Sequence, residues 1–123
     1  MFRLIESTNN NFIRFQAVGK KIMSGHIVQL VNISDDIYVE LSEGSRPFGI
    51  VLATNNNIVK IYHQKMICQT SKYDKSVNYT GGMPLYAKAG SLTTVPVHES
   101  HPIIAHVITD YRPSKDILEI NWI

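Results

Sequence analysis

The chain has 123 residues, 44% of them hydrophobic and 18% charged, with a net charge of +2. That length fits one domain with its own core, and that composition excludes a disordered chain. The 12 basic residues are scattered among 10 acidic ones, with Lys20-Lys21 the only adjacent basic pair. This excludes a protein built around a phosphate-binding strip and argues against nucleic acid as the partner.

Met1-Phe2-Arg3-Leu4-Ile5 is a short apolar start followed by polar residues as far as Asn11. It holds no apolar run long enough for a signal peptide, and reads either as an N-terminal arm or as a first strand. Residues 1–21 are thus assigned to an arm or a first strand, and 22–123 to the β-barrel domain. Phe12 to Val18 is a strand candidate, and Ile27 to Val31 is short and β-branched, as strands are. Ile37, Val39 and Leu41 alternate with Tyr38, Glu40 and Ser42, the pattern of a half-buried strand. Phe48 to Ala53, Ile58 to Tyr62 and Met66 to Gln69 continue the series, and Ser71 to Lys75 has room for a short helical turn.

Gly81-Gly82 leads into Leu85 to Lys88, which turns at Ala89-Gly90 into Leu92 to Val97; this is expected to be a hairpin. Ile103 to Thr109 and Ile117 to Trp122 complete the set. Turn clusters punctuate these runs at Asn9 to Asn11, Ser34 to Asp36, Glu43 to Ser45, Asn55 to Asn57 and Arg112 to Ser114. About ten short strands with little or no helix predict an all-β fold, a small single-domain barrel or sandwich, because such strands must close or pair to hide their edges.

Chemistry is thin. His98, His101 and His106, with Glu99 among them, raise the question of a metal. Zinc needs three or four ligands converging on one point, and on a strand His98 and His101 face opposite ways, so only a turn at Ser100 unites them. Cys68, the only cysteine, rules out an intrachain disulfide and fits a reducing compartment. Its apolar neighbours Met66 and Ile67 argue for a buried, inert thiol. No Gly-x-Ser-x-Gly elbow is present, and Gly44 to Gly49 lacks the lysine of a phosphate loop. Asp35-Asp36 reads as a solvated turn. No catalytic, cofactor-binding or metal residue is assigned, and no enzyme activity or cofactor is expected. Tyr38, Tyr62, Tyr73, Tyr79, Tyr86 and Tyr111 offer an alternative, a barrel whose aromatic surface stacks on a small ligand or an oligosaccharide. No stretch approaches the roughly 20 apolar residues of a membrane helix, so no membrane partner is expected and folding is assigned to the cytoplasm.

Taken in order, several pieces form a pattern: Gly25-His26-Ile27-Val28-Gln29-Leu30, Tyr38-Val39-Glu40-Leu41, and Arg46-Pro47-Phe48-Gly49-Ile50-Val51. Gly82-Met83-Pro84-Leu85-Tyr86 then leads to Gly90-Ser91-Leu92-Thr93, and the chain closes on Ile104-Ala105-His106-Val107-Ile108 and Leu118-Glu119-Ile120-Asn121-Trp122. From Ile22 to Ile123 this resembles the small β-barrel decoration, or cement, proteins of tailed-bacteriophage heads and the related capsid-fibre base domains. Ala105 stands where that family usually carries glycine. The resemblance implies a virion protein, assembled in the host cytoplasm, that docks on the capsid exterior and stabilises contacts between major capsid subunits, often as a homotrimer. A fibre anchor or tail component is the alternative within the virion. Partner contacts are expected at Phe2, Leu4 and Ile5 of the arm and at Arg46, Tyr73 and Trp122, with core packing the alternative for Trp122.

Overall fold

A computed structural model describes residues 1–7, 11–108 and 116–123. The described residues form eleven strands and no helix. These are β1 (Phe2–Ser7), β2 (Ile13–Ala17), β3 (Ile27–Ile33), β4 (Asp36–Leu41), β5 (Gly49–Asn55), β6 (Ile58–Tyr62), β7 (Met66–Thr70), β8 (Pro84–Lys88), β9 (Ser91–Thr93), β10 (Ala105–Val107) and β11 (Leu118–Trp122). The expected turns at Asn9-Asn10 and Arg112 to Ser114, and Tyr111, lie outside the described residues.

Five strands close into a barrel in the order β2-β4-β3-β5-β6. Neighbours are antiparallel except β2 and β4, which run parallel through Gln16–Tyr38 and Ala17–Val39. The other six form a sheet in the order β1-β7-β11-β10-β8-β9. A parallel bridge from Leu92 to Tyr73, with Leu92 N–H donating to the Lys72 carbonyl, ties β9 back to the chain leaving β7. This sheet therefore curls around its own core. The bridge occupies the stretch in which a helical turn was expected.

Turn chemistry sets the hairpins. Ser34-Asp35, Asn56-Asn57 and Ala89-Gly90 each have positive φ at both residues, as the two-residue turns that match strand twist require. Strand pairing resumes at once on either side of all three, as Ile33–Asp36, Asn55–Ile58 and Lys88–Ser91. Gly90 also joins the two halves: its N–H donates to the Ser42 carbonyl, and its carbonyl accepts from Ile27 N–H. A Cβ there would sit 2.7 Å from Leu41 Cδ2, so only glycine lets the hairpin tip touch the barrel.

Burial explains where alternation fails. Val28, Val51 and Ile61 point into the barrel with Val39 and Val59. Their neighbours Ile27, Ile50 and Tyr62 point outward into the second core, against Cys68, Leu85, Leu92, Leu118, Ile120 and Trp122. Stretches buried on both faces read as unbroken apolar runs instead of alternating ones.

Residues 1–21 belong to this body. β1 pairs along β7 as an edge strand of the sheet, and β2 is a stave of the barrel, so a division at residue 22 cuts through the barrel wall. β9 stops at Thr93, short of the expected Val97, and Val95 N–H turns back to Thr93 Oγ1. Pro96 supplies no N–H to extend the ladder.

Candidate functional site

Of the residues expected to touch partners, two are core. Tyr73 is 4% exposed and Trp122 3%. Trp122 lies in β11, paired with Ala105 on one side and Met66 on the other, so it fills the sheet's interior instead of anchoring an interface. Tyr73 meets the Tyr79 ring edge-on, and its hydroxyl donates to Asp116 Oδ1 at 3.1 Å. Phe2 and Leu4 are half-buried against the sheet's core, Phe2 with its ring 5.9 Å from that of Tyr62. Ile5 and Arg46 remain exposed; Ile5 is the extra residue of a bulge between Leu4 and Glu6. Such bulges blunt an edge strand against unwanted pairing.

The histidines do not converge. His98 Nδ1 is 2.7 Å from Ser100 Oγ, and the rings of His98 and His101 are 5.9 Å apart. His101 turns towards Glu43, Nε2 to Oε2 3.9 Å, while its Nδ1 is buried without a hydrogen-bond partner among the described residues. It packs on Gly44, where a Cβ would lie 2.6 Å from that nitrogen. His106 sits on β10 between Pro84 and Asn121. Among the described residues no three His, Cys, Asp or Glu side chains are grouped to hold a metal ion. Burial, with Glu119 nearby, pushes the Cys68 thiol up to about 12, so it is protonated at neutral pH and a poor nucleophile.

The described tyrosines do not form one stacking face either. Tyr62, Tyr73 and Tyr79 are buried, while Tyr38 and Tyr86 are half-buried on different sheets.

What the surface does offer is the connection from β9 to β10. Between Thr94 and Ile104 the chain forms no strand. Val95 is 61% exposed, Val97 59% and Ile103 43%, three large apolar side chains within nine residues. The segment is fixed at both ends, by Val95 N–H to Thr93 Oγ1 and by Ile104 N–H to the Leu85 carbonyl. His101 holds its middle against the Glu43–Gly44 turn of the barrel. The sequence hid this surface because β-branched Val95 and Val97 read as the continuation of a strand. Pro96 and Pro102 were the signals that the ladder ends.

No protein-family model matches the chain, and no curated protein matches it.

Proposed function

We propose that this domain is a structural docking module, a decoration protein on the exterior of a bacteriophage capsid that stabilises contacts between major capsid subunits. It works through its surface, without catalysis or a cofactor, and self-associates as a homotrimer around the shell's local symmetry axes. The observation that carries this reading is the pinned segment after β9 with Val95, Val97 and Ile103 turned to solvent. Apolar side chains grouped on a monomer's surface mark sites that another protein covers. Residues that carry the resemblance to the decoration family flank this segment, Gly82 to Thr93 at the β8–β9 hairpin before it and Ile104 to Ile108 around β10 after it.

A single contact of this size is weak, because stable interfaces bury about 1,600 Å² in all. A trimer touching several capsid subunits at once converts the later contacts into intramolecular ones and gains avidity without stronger individual contacts. Arm residues Phe2 and Leu4 are half-buried in the monomer's own packing, so the docking test belongs on Val95 and Val97.

The experiment is to quantify the chain in purified virions by mass spectrometry, and then the retention of Val95→Ser/Val97→Ser. A copy number that follows the repeat of the capsid shell, with loss of the variant, supports the reading. A handful of copies reassigns the chain to a fibre base or tail, and absence from virions refutes it.

A further inference from the structure

The outer face of the barrel carries an arrangement that the core does not need. Arg14 on β2 and Lys60 on β6 are directly opposed in the antiparallel ladder. Like charges so placed repel and weaken a sheet. Both lean over one ring: Arg14 Cζ is 4.8 Å and Lys60 Nζ 5.1 Å from the centroid of Phe12. Phe12 is itself fixed edge-on against Tyr62. A ring face attracts cations, and here it holds two beside each other.

Neither cation is neutralised by an ion pair among the described residues. Asp36 begins β4 two residues before the Tyr38 that pairs with Gln16, and it forms no ion pair with either. The pair borders a cleft of about 340 Å³ completed by Ala53, Ile58 and the polar stretch Thr54 to Asn56. On the other flank of the same β5–β6 hairpin, Lys20 and Lys21 border a second cavity of about 470 Å³. The hairpin tip itself, Ala53 to Asn57, carries no charge.

We infer that the Arg14–Lys60 cleft receives an acidic segment of the protein on which this domain docks, with a glutamate or aspartate carboxylate seated between the two cations. The inference rests on the docking reading and names the chemistry of its partner. A guanidinium and an ammonium converging on one carboxylate make charge-assisted hydrogen bonds, and the incoming charge removes the repulsion within the cross-strand pair. The neighbouring Thr54, Asn55 and Asn56 supply amide and hydroxyl groups suited to a peptide backbone, and Ile58 an apolar wall. A nucleic acid fits less well, because phosphate binders gain affinity from a run of cations along the backbone, and this cleft has two.

The test uses the intact, isotope-labelled protein and backbone-amide NMR. The probes are a blocked Glu/Ala octapeptide, a blocked Lys/Ala octapeptide and an oligothymidine of similar length. The Glu/Ala peptide is expected to shift the amides of Arg14, Lys60 and Thr54 to Asn56 saturably. Its affinity should fall about tenfold in Arg14→Gln/Lys60→Gln, a loss of about 1.4 kcal/mol, and fall further with salt. The variant loses the repulsive pair and the two cation–ring contacts with Phe12 together, opposed effects that leave stability little changed; Lys60→Gln alone is the check should the double variant fold poorly. Absent shifts at these amides, an undiminished affinity in the variants, or tighter binding of oligothymidine at the same place each overturns the inference. Wild-type chain on virions together with full retention of Arg14→Gln/Lys60→Gln rejects this site alone. Wild-type chain missing from virions rejects the docking reading beneath it.

Discussion

Lowering the pH from 7.5 to 5.0 is expected to cost the fold about 2 kcal/mol, and His26 is the reason. His26 lies where the barrel meets the sheet, and its Nδ1 accepts the Met23 N–H at 2.9 Å. Burial, and then the charges of Lys72 and the Met1 amino group, bring its pKa from 6.5 down to about 4. A proton on this ring must be desolvated beside two existing cations. In the unfolded chain the same histidine titrates at its ordinary value, so between pH 6.5 and 4 the unfolded state holds more protons. Stability therefore rises with pH across that window: it is complete above about 6.5 and lost as pH falls towards 4. At pH 5.0 the unfolded imidazole is almost fully protonated and the folded one mostly neutral, which gives the figure of about 2 kcal/mol. The carboxylates held below their usual range, Glu43, Asp74 and Asp116, give up stability only at lower pH, as the medium reaches carboxylate pKa values. Urea unfolding at the two pH values measures the effect as a midpoint drop of about 1–2 M, for an m-value near 1–2 kcal/mol/M. His26→Asn retains an acceptor near the Met23 N–H but does not titrate, and should flatten the dependence. Equal slopes for wild type and this variant would refute the assignment to His26.

Four further outcomes are expected. Ala89→Gly should raise stability by up to about 1 kcal/mol, since Ala89 holds φ 49 in a left-handed turn. Gly90→Ala should lower it by about 1–3 kcal/mol through the clash with Leu41; thermal melts read both. Thr70→Val keeps the shape at a fully buried position, but strips the Gly25 carbonyl of its donor and the Lys72 N–H of its acceptor. A loss of about 2–3 kcal/mol in urea is expected, and less than about 0.5 would mean that water replaces the hydroxyl. Cys68, fully buried and with its pKa pushed up to about 12, should react with a thiol reagent only as fast as the protein opens. Prompt labelling in native buffer contradicts that.

The strands were readable where one face is wet. Ile37 to Leu41 and Leu118 to Trp122 both emerged as strands within a residue or so of the expected bounds; on β11 the polar Glu119 and Asn121 interleave with buried Leu118, Ile120 and Trp122, and on β4 Val39 is buried while Ile37 lies exposed. The three hairpin turns were equally plain, since Asp, Asn and Gly sit where positive φ is needed. Long-range closure was not readable. Nothing local in Gln16-Ala17 tells that they pair in parallel with Tyr38-Val39, or that Phe2 to Ser7 lies along β7 some sixty residues later. Surface chemistry fared worst. Trp122 and Tyr73 looked like anchors because large aromatics serve both cores and interfaces, and only the neighbours supplied by β7, β8 and β10 decide between the two. Arg14 and Lys60 sit far apart in sequence, so the cleft they share exists only once β2 lies against β6.

β11 follows the other ten described strands, yet it is hydrogen-bonded on both sides, to β7 and to β10. A ribosome adding about 5–20 residues per second takes several seconds to travel the roughly 50 residues from Thr70 to Leu118. Throughout that interval one edge of β7 waits open, with Met66 and Cys68 short of the strand that covers them. The barrel has no such delay, because all its staves are made by Tyr62. Synthesis thus imposes an order in which the barrel closes first and serves as a platform, and the nascent sheet is completed from the tail by insertion. Chaperone capture or aggregation of the growing chain should therefore concentrate on lengths between β7 and β11, and truncations that remove β11 should trap the sheet open and uncover the outward-facing Ile27, Ile50 and Tyr62 of the barrel.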